Sequence, residues 1–370
     1  MAKRIADRIA DRIAAGVGGI RQFRSIQTLR ALAALGVVAF HAEGNVATYG
    51  WATHFFHQIS RFGEIGVDVF FVISGFVMVL VTHDKPPGVA SAKTFIVARI
   101  TRVVPLYWAL TSLFIALLLV VPGAFGNASL NVGHAVASYL FFPWLNWIHV
   151  TAPVVGVGWT LNYEMWFYGV FAVSMCLTRY RLLAVAAFLA VMSALHFVHA
   201  GGVAFSFYTN PIVMEFVFGT FVGWVYATGR AVPIAVAAAI VVSILATGKM
   251  FAPALSDTNR FLVFGLSALA VVVAGLSVEN KVRWNAWLEL VGDSSYSLYL
   301  THVFSVPVSV KLLQIFDRQH RMPGDLVCVV VVLASVAVGL ASYQWLEGPM
   351  NRMGKRLIMR TRATAEPVRN

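Results

Sequence analysis

The fold is decided by the run Gly66-Val67-Asp68-Val69-Phe70-Phe71-Val72-Ile73-Ser74-Gly75-Phe76-Val77-Met78-Val79-Leu80-Val81-Thr82. With the residues just before it, the apolar stretch covers 62–82. About 20 predominantly apolar residues is the length a helix needs to cross the hydrocarbon core of a bilayer. The ionisable group inside the run, Asp68, is costly in lipid, so it must face a bundle interior or a watery cavity.

Working outward, similar runs recur at 27–46, 103–123, 156–178, 182–199, 209–228, 231–248, 260–277, 290–311 and 325–346. The composition agrees: 59% of the 370 residues are hydrophobic and 12% charged, where a soluble protein carries roughly 25% charged. Such a chain is not a soluble cytosolic enzyme, a disordered protein or a secreted disulfide scaffold. Cys176 and Cys328 lie in apolar runs with no metal-ligand spacing. No cleavable signal peptide is evident, and no metal site is expected.

The charges then orient the spans. Residues 1–24 carry six basic and two acidic side chains, residues 346–370 carry the same, and the two tails supply +8 of the net +12. Basic tails on an apolar chain mark the cytoplasmic side and suit anionic lipid. No basic stripe is interleaved with stacking aromatics, so nucleic acid is not an expected partner. The stretch 132–148 is short and interrupted by His134, Pro143 and Asn146. If it does not span, 22 basic residues fall inside and six outside; if it spans, that bias collapses. The expected fold is an all-α polytopic transmembrane bundle of about ten spans, with both termini cytoplasmic. Segment 132–148 is expected as a re-entrant or interfacial outer element. One membrane domain, 25–350, lies between a tail at 1–24 and a basic tail at 351–370. The Arg-Ile-Ala-Asp repeat over Ala2–Ala15 reads either as an amphipathic helix on the inner leaflet or as a disordered extension.

A few charges are not tail or linker residues. Arg30 and His41 are eleven residues apart, which returns to within about 20° of one helix face and separates them by roughly 16 Å along the axis. Arg99 and Arg102 form an i, i+3 pair at the inner entrance of the third span. Arginine forks suit phosphate, so the three cations form a candidate anion-binding mouth. Asp68, Glu164 and Glu215 read as lying in the outer parts of their spans, and His302 in the middle of the ninth. Each arginine alone also reads as an inner-face anchor, and each histidine alone as a structural group. On the residues alone, catalysis and transport of an anionic substrate both fit.

Five motifs add a resemblance. These are Ile26-Gln27-Thr28-Leu29-Arg30-Ala31-Leu32-Ala33-Ala34 leading to His41, the 66–76 segment quoted above, Arg99-Ile100-Thr101-Arg102 with Pro105 and Tyr107, Gly158-Trp159-Thr160-Leu161-Asn162-Tyr163-Glu164, and Ser295-Tyr296-Ser297-Leu298-Tyr299-Leu300-Thr301-His302 paired with Trp345-x-Glu347-x-Pro349. In order and spacing over about 25–350 they resemble the membrane acyltransferase 3 family, the O-acetylases of bacterial surface polysaccharides, including the exopolysaccharide type. The resemblance implies an integral-membrane O-acyltransferase of the bacterial inner membrane. It would move an acyl group from cytosolic acyl-CoA, acetyl by default and succinyl as runner-up, to a hydroxyl of a surface or exported glycan. Acetyl-CoA would be a donor substrate, with no bound cofactor. In that scheme Arg30, Arg99 and Arg102 hold the acyl-CoA. His41 acts as general base or as transient nucleophile, and Glu164 or Asp68 orients it or binds sugar. Ser74, Trp159, Tyr299 and His302 are substrate-contacting or structural. The rival from another class is a transporter of an anionic or lipid-linked substrate. Acceptor identity and oligomeric state are not legible in the sequence.

Overall fold

The first helix, α1 (Arg24–Thr48), begins on a borrowed carboxylate. Glu279 accepts the backbone N–H groups of Arg24 and Ser25 at 3.0 and 2.8 Å. These are donors that a helix start leaves without intrahelical partners, and negative charge there suits the helix dipole. The short α2 (Phe55–Ser60) starts the same way: Asp325 accepts from the N–H groups of His54, Phe55 and Phe56. The computed structural model describes residues 23–121, 131–177, 180–198, 201–229, 235, 238 and 259–363. Among them the fold is helical throughout, with no strand and one isolated bridge between Leu145 and Thr151.

After a 3-10 turn at Arg61–Glu64 come α3 (Ile65–Thr82) and the 32-residue α4 (Val89–Val120). The eight-residue α5 (Val132–Tyr139) leads through irregular chain to α6 (Trp159–Cys176) and α7 (Arg181–Leu195). Then follow α8 (Val203–Thr209), α9 (Met214–Ala227) and α10 (Leu266–Ser277), the last preceded by a π turn at Phe261–Gly265. The final group is α11 (Ala286–Asp293), α12 (Ser295–Phe316), α13 (Gly324–Ser342) and α14 (Gly348–Ala363), with a π turn at Tyr343–Glu347 joining the last two.

Among the described residues, six helices are long and apolar enough to cross a membrane: Arg24–Thr48, Phe62–Thr82, Val89–Val120, Arg181–Val198, Ser295–Phe316 and Gly324–Gly354. The chain is a multi-pass helical membrane protein. The runs 156–178, 209–228 and 260–277 fall on α6, on α9 and on Phe261–Ser277, which fall short in length or apolarity. The run 231–248 and the N-terminal repeat lie outside the described residues. Segment 132–148 forms α5 and an irregular return; eight helical residues rise only about 12 Å, too short to span.

The third helix starts at Val89, ahead of the apolar run 103–123, so Arg99 and Arg102 stand 10 and 13 residues into it, about 15 and 20 Å along the axis and just before that run. One expectation needs correction. The expected span 290–311 is broken at Ser294, where α11 ends and α12 begins.

Packing depends on backbone approach as much as on side-chain bulk. The most extensive helix contact is α3 against α9. A Cβ on Gly75 would lie 2.2 Å from the Phe216 carbonyl oxygen, and one on Gly219 would lie 2.0 Å from that of Val72. Small residues permit such close crossings where lipid removes the hydrophobic drive between helices. The crossing fixes the face of α3 that carries Ser74.

Candidate active site

Arg30 and His41 both lie on α1, and each lines a different cavity. The first cavity has an empty volume of about 870 Å³ and gathers Arg30 from α1, Ser74 from α3, Arg99 and Arg102 from α4, Glu164 and Tyr168 from α6, and Tyr296 and Tyr299 from α12. Three guanidinium groups meet one carboxylate here. Glu164 accepts hydrogen bonds from Ser74 Oγ at 3.3 Å and from the Tyr168 hydroxyl, the latter a short contact. Arg30 Nη1 reaches Gln27 Oε1 at 3.4 Å, whereas Arg99 Nε is buried without a hydrogen-bond partner. Behind the arginines, Glu347 accepts from Ser297 Oγ at 2.7 Å and weakly from Asn351 Nδ2 at 3.5 Å. The site therefore keeps spare cationic donors, which is the composition that recognises phosphate.

The second cavity is lined by His41, Asn45, Glu64, Trp159, Arg260, Tyr299 and His302 among apolar side chains. His41 Nδ1 lies 2.9 Å from the Val37 carbonyl oxygen. A carbonyl can only accept, so the neutral ring carries its hydrogen on Nδ1 and leaves the Nε2 lone pair free. A free ring nitrogen at a cavity wall can take a proton from a hydroxyl or attack a carbonyl carbon. The His302 ring is buried with its centroid 4.9 Å from that of His41. Its nitrogens make no hydrogen bond of good geometry, although the Leu298 and Tyr299 carbonyls lie alongside. Trp159 is half-buried, edge-on to Phe71 and Tyr163 with centroids 6.3 and 5.9 Å away.

The carboxylates fall differently from their sequence depth. Glu164 does not stand beside His41; it shares the cavity of Arg30, Arg99 and Arg102. Asp68 lines neither cavity. It is fully buried and gripped by Arg260, with Nη2 to Oδ2 at 2.8 Å and Nε to Oδ1 at 3.2 Å. Arg260 also bonds the Glu64 carboxylate at 3.1 Å and its main-chain oxygen at 3.2 Å. Glu215 is buried alongside Asp68, and neither of its oxygens has a hydrogen bond of good geometry. Asp68 thus touches the histidine cavity only through Arg260 and Glu64.

A family model described as an acyltransferase domain matches residues 23–343. The chain belongs to this acyltransferase family. The acyltransferase is 35% identical to the exopolysaccharide production protein ExoZ of Rhizobium meliloti, over 79% of this chain and 91% of that protein. It is 30% identical to the putative membrane-bound transacylase BcsY of Komagataeibacter xylinus, over 84% and 79% of the two chains. It is 23% identical to the peptidoglycan O-acetyltransferase OatA of Listeria monocytogenes, over 89% of this chain and 56% of that protein. No solved structure is significantly similar to it.

The sequence of the acyltransferase groups the three arginines and puts His41 on the helix face of Arg30. Its reading passes over Arg260, Glu64 and the Ser297–Glu347 contact as members of the sites. A usable signal existed for Arg260. A carboxylate such as Asp68 within an apolar run demands a cation, and Arg260 stands at the head of a later apolar run.

Proposed function

We propose that the protein transfers an acyl group, acetyl first, from acyl-CoA to a hydroxyl of an exported polysaccharide. The observation that carries this reading is the pairing along α1 of an arginine-rich cavity with a histidine whose Nε2 is free. The phosphates of acyl-CoA pair with Arg30, Arg99 and Arg102, and its flexible arm extends toward His41. The acceptor hydroxyl oxygen attacks the thioester carbonyl while His41 Nε2 takes its proton. The C–S bond then breaks, and the imidazolium returns the proton to the leaving thiolate. Neither water nor an added proton is consumed. The names of two relatives, an exopolysaccharide production protein and a peptidoglycan O-acetyltransferase, support an extracellular polysaccharide as acceptor, with an exopolysaccharide ahead of peptidoglycan on identity.

The topology that suits this chemistry has ten spans and both termini cytoplasmic. It puts the arginine cavity toward the cytosolic acyl-CoA pool and the histidine cavity toward the exported glycan, in the bacterial inner membrane. The positive-inside count supports it.

The test is the mass of exported and surface polysaccharides from a deletion strain and its parent. Loss of acetyl groups from one glycan on deletion, restored by the wild-type gene, is the expected result. An unchanged acyl pattern in every exported glycan would refute the assignment.

A further inference from the structure

The two cavities share two lining residues, Val67 and Tyr299. Val67 is a short side chain fixed on α3. Tyr299 is the bulky one. Its hydroxyl donates to the Val157 carbonyl oxygen at 2.9 Å and lies 3.0 Å from Thr160 Oγ1. Thr160 lines the arginine cavity and Val157 lines the histidine cavity. The hydroxyl is therefore pinned to the segment that separates them. The ring is buried, with centroids 6.0 Å from Phe70 and 5.8 Å from His302. Anything passing from Arg99 to His41 along this route meets that ring.

We propose that Tyr299 is the partition between the donor and acceptor chambers, a substrate-contacting residue that admits a short acyl thioester to His41 and keeps water from reaching it when no acceptor is present. The inference rests on the acyl-CoA reading above. A slim thioester arm passes if the ring swings and the two hydroxyl contacts are exchanged. With the ring absent, water can replace the acceptor: its oxygen attacks the thioester carbonyl, the C–S bond breaks, and a free carboxylic acid and the CoA thiol result. A wider passage also admits longer acyl chains.

The experiment uses the full chain in lipid nanodiscs with labelled acetyl-CoA and butyryl-CoA, with and without polysaccharide. Tyr299→Ala is expected to raise acceptor-independent hydrolysis about tenfold by ending the exclusion of water, and to accept butyryl-CoA. Tyr299→Phe keeps the ring but loses both hydroxyl contacts, and raises hydrolysis less. Tyr299→Trp narrows the passage and lowers kcat for transfer while leaving KM for acetyl-CoA unchanged, because the arginines are untouched. If the alanine variant does not fold, the phenylalanine and tryptophan variants carry the test. Wild-type hydrolysis, chain-length preference and kcat in these variants would overturn the partition and leave the donor reading intact. A wild-type protein that never consumes acyl-CoA would overturn both.

Discussion

The arginine cavity and the histidine cavity lie on one helix, α1, yet they handle charge in opposite ways. Around Arg30, Arg99 and Arg102 the cations outnumber the one lining carboxylate, Glu164, and Arg99 Nε has no partner. Around His41 the two charged lining groups, Arg260 and Glu64, pair with each other, Arg260 is also held by Asp68, and the wall is otherwise mostly apolar. An excess of unsatisfied donors suits holding an anion. A balanced, largely apolar wall suits a proton transfer at a single free nitrogen. The difference teaches that arginines in one membrane protein can be placed differently: those at the first cavity keep spare donors, whereas Arg260 is occupied by carboxylates.

The comparison breaks most sharply at His41. His41→Ala should lower transfer by about 10²–10⁴ in kcat, the usual share of a general base, with KM for acyl-CoA little changed. Full turnover by a correctly inserted variant would remove the histidine cavity from the chemistry. Next comes Arg260→Ala, which strands Asp68 as an uncompensated buried charge. It should cost about 3–5 kcal/mol of stability, read as a lower Tm in detergent, and part should return in the Arg260→Ala/Asp68→Asn double variant. A full recovery of stability with no loss of activity would confirm that this arginine is only a counter-ion; an unchanged Tm in the single variant would contradict it.

Arg99→Ala should raise KM for acyl-CoA by about ten- to a hundredfold, since a hydrogen bond to a charged group is worth about 1.5–3 kcal/mol. Arg99→Lys should recover little of this, because the planar fork is lost. An unaltered KM would separate this arginine from the donor. The smallest effect lies outside both cavities, at Asp317 between α12 and α13. The N–H groups of Met322 and Arg321, with Trp51, hold its carboxyl below the usual range. A depressed carboxyl stabilises the fold above its unfolded pKa of about 3.9 and ceases to do so as pH falls through the folded value. The wild-type Tm should therefore drop below about pH 4, where Asp317→Asn should show a shallower dependence. Parallel pH curves for the two proteins would dismiss this contribution.

Much of the helical fold was legible because each apolar run answers to the same constraint, a backbone that must satisfy itself in lipid. The run at 66–82 is the clearest case, and α3 covers all of it. The Arg30–His41 column was legible because helical periodicity is a one-dimensional property. What the sequence did not reveal depends on where helices begin and how they cross. Glu164 was a candidate to orient His41 or to bind sugar, yet the packing of α6 on α4 sets it among the arginines. The grip of Arg260 on Asp68 joins residues 192 positions apart, a distance no local pattern encodes.

The caps described for the first two helices carry a consequence for biogenesis. The carboxylate that completes the start of α1 arrives 254 residues after Ser25, and the one that completes α2 arrives 269 residues after Phe56. At synthesis rates of roughly 5–20 residues per second, the first span therefore waits on the order of 10–50 s before its N-terminal turn can be closed. A nascent or truncated chain lacking Glu279 would present that turn unfinished. Quality-control proteases acting at the membrane would then have, at α1, a marker of whether the rest of the chain has been made.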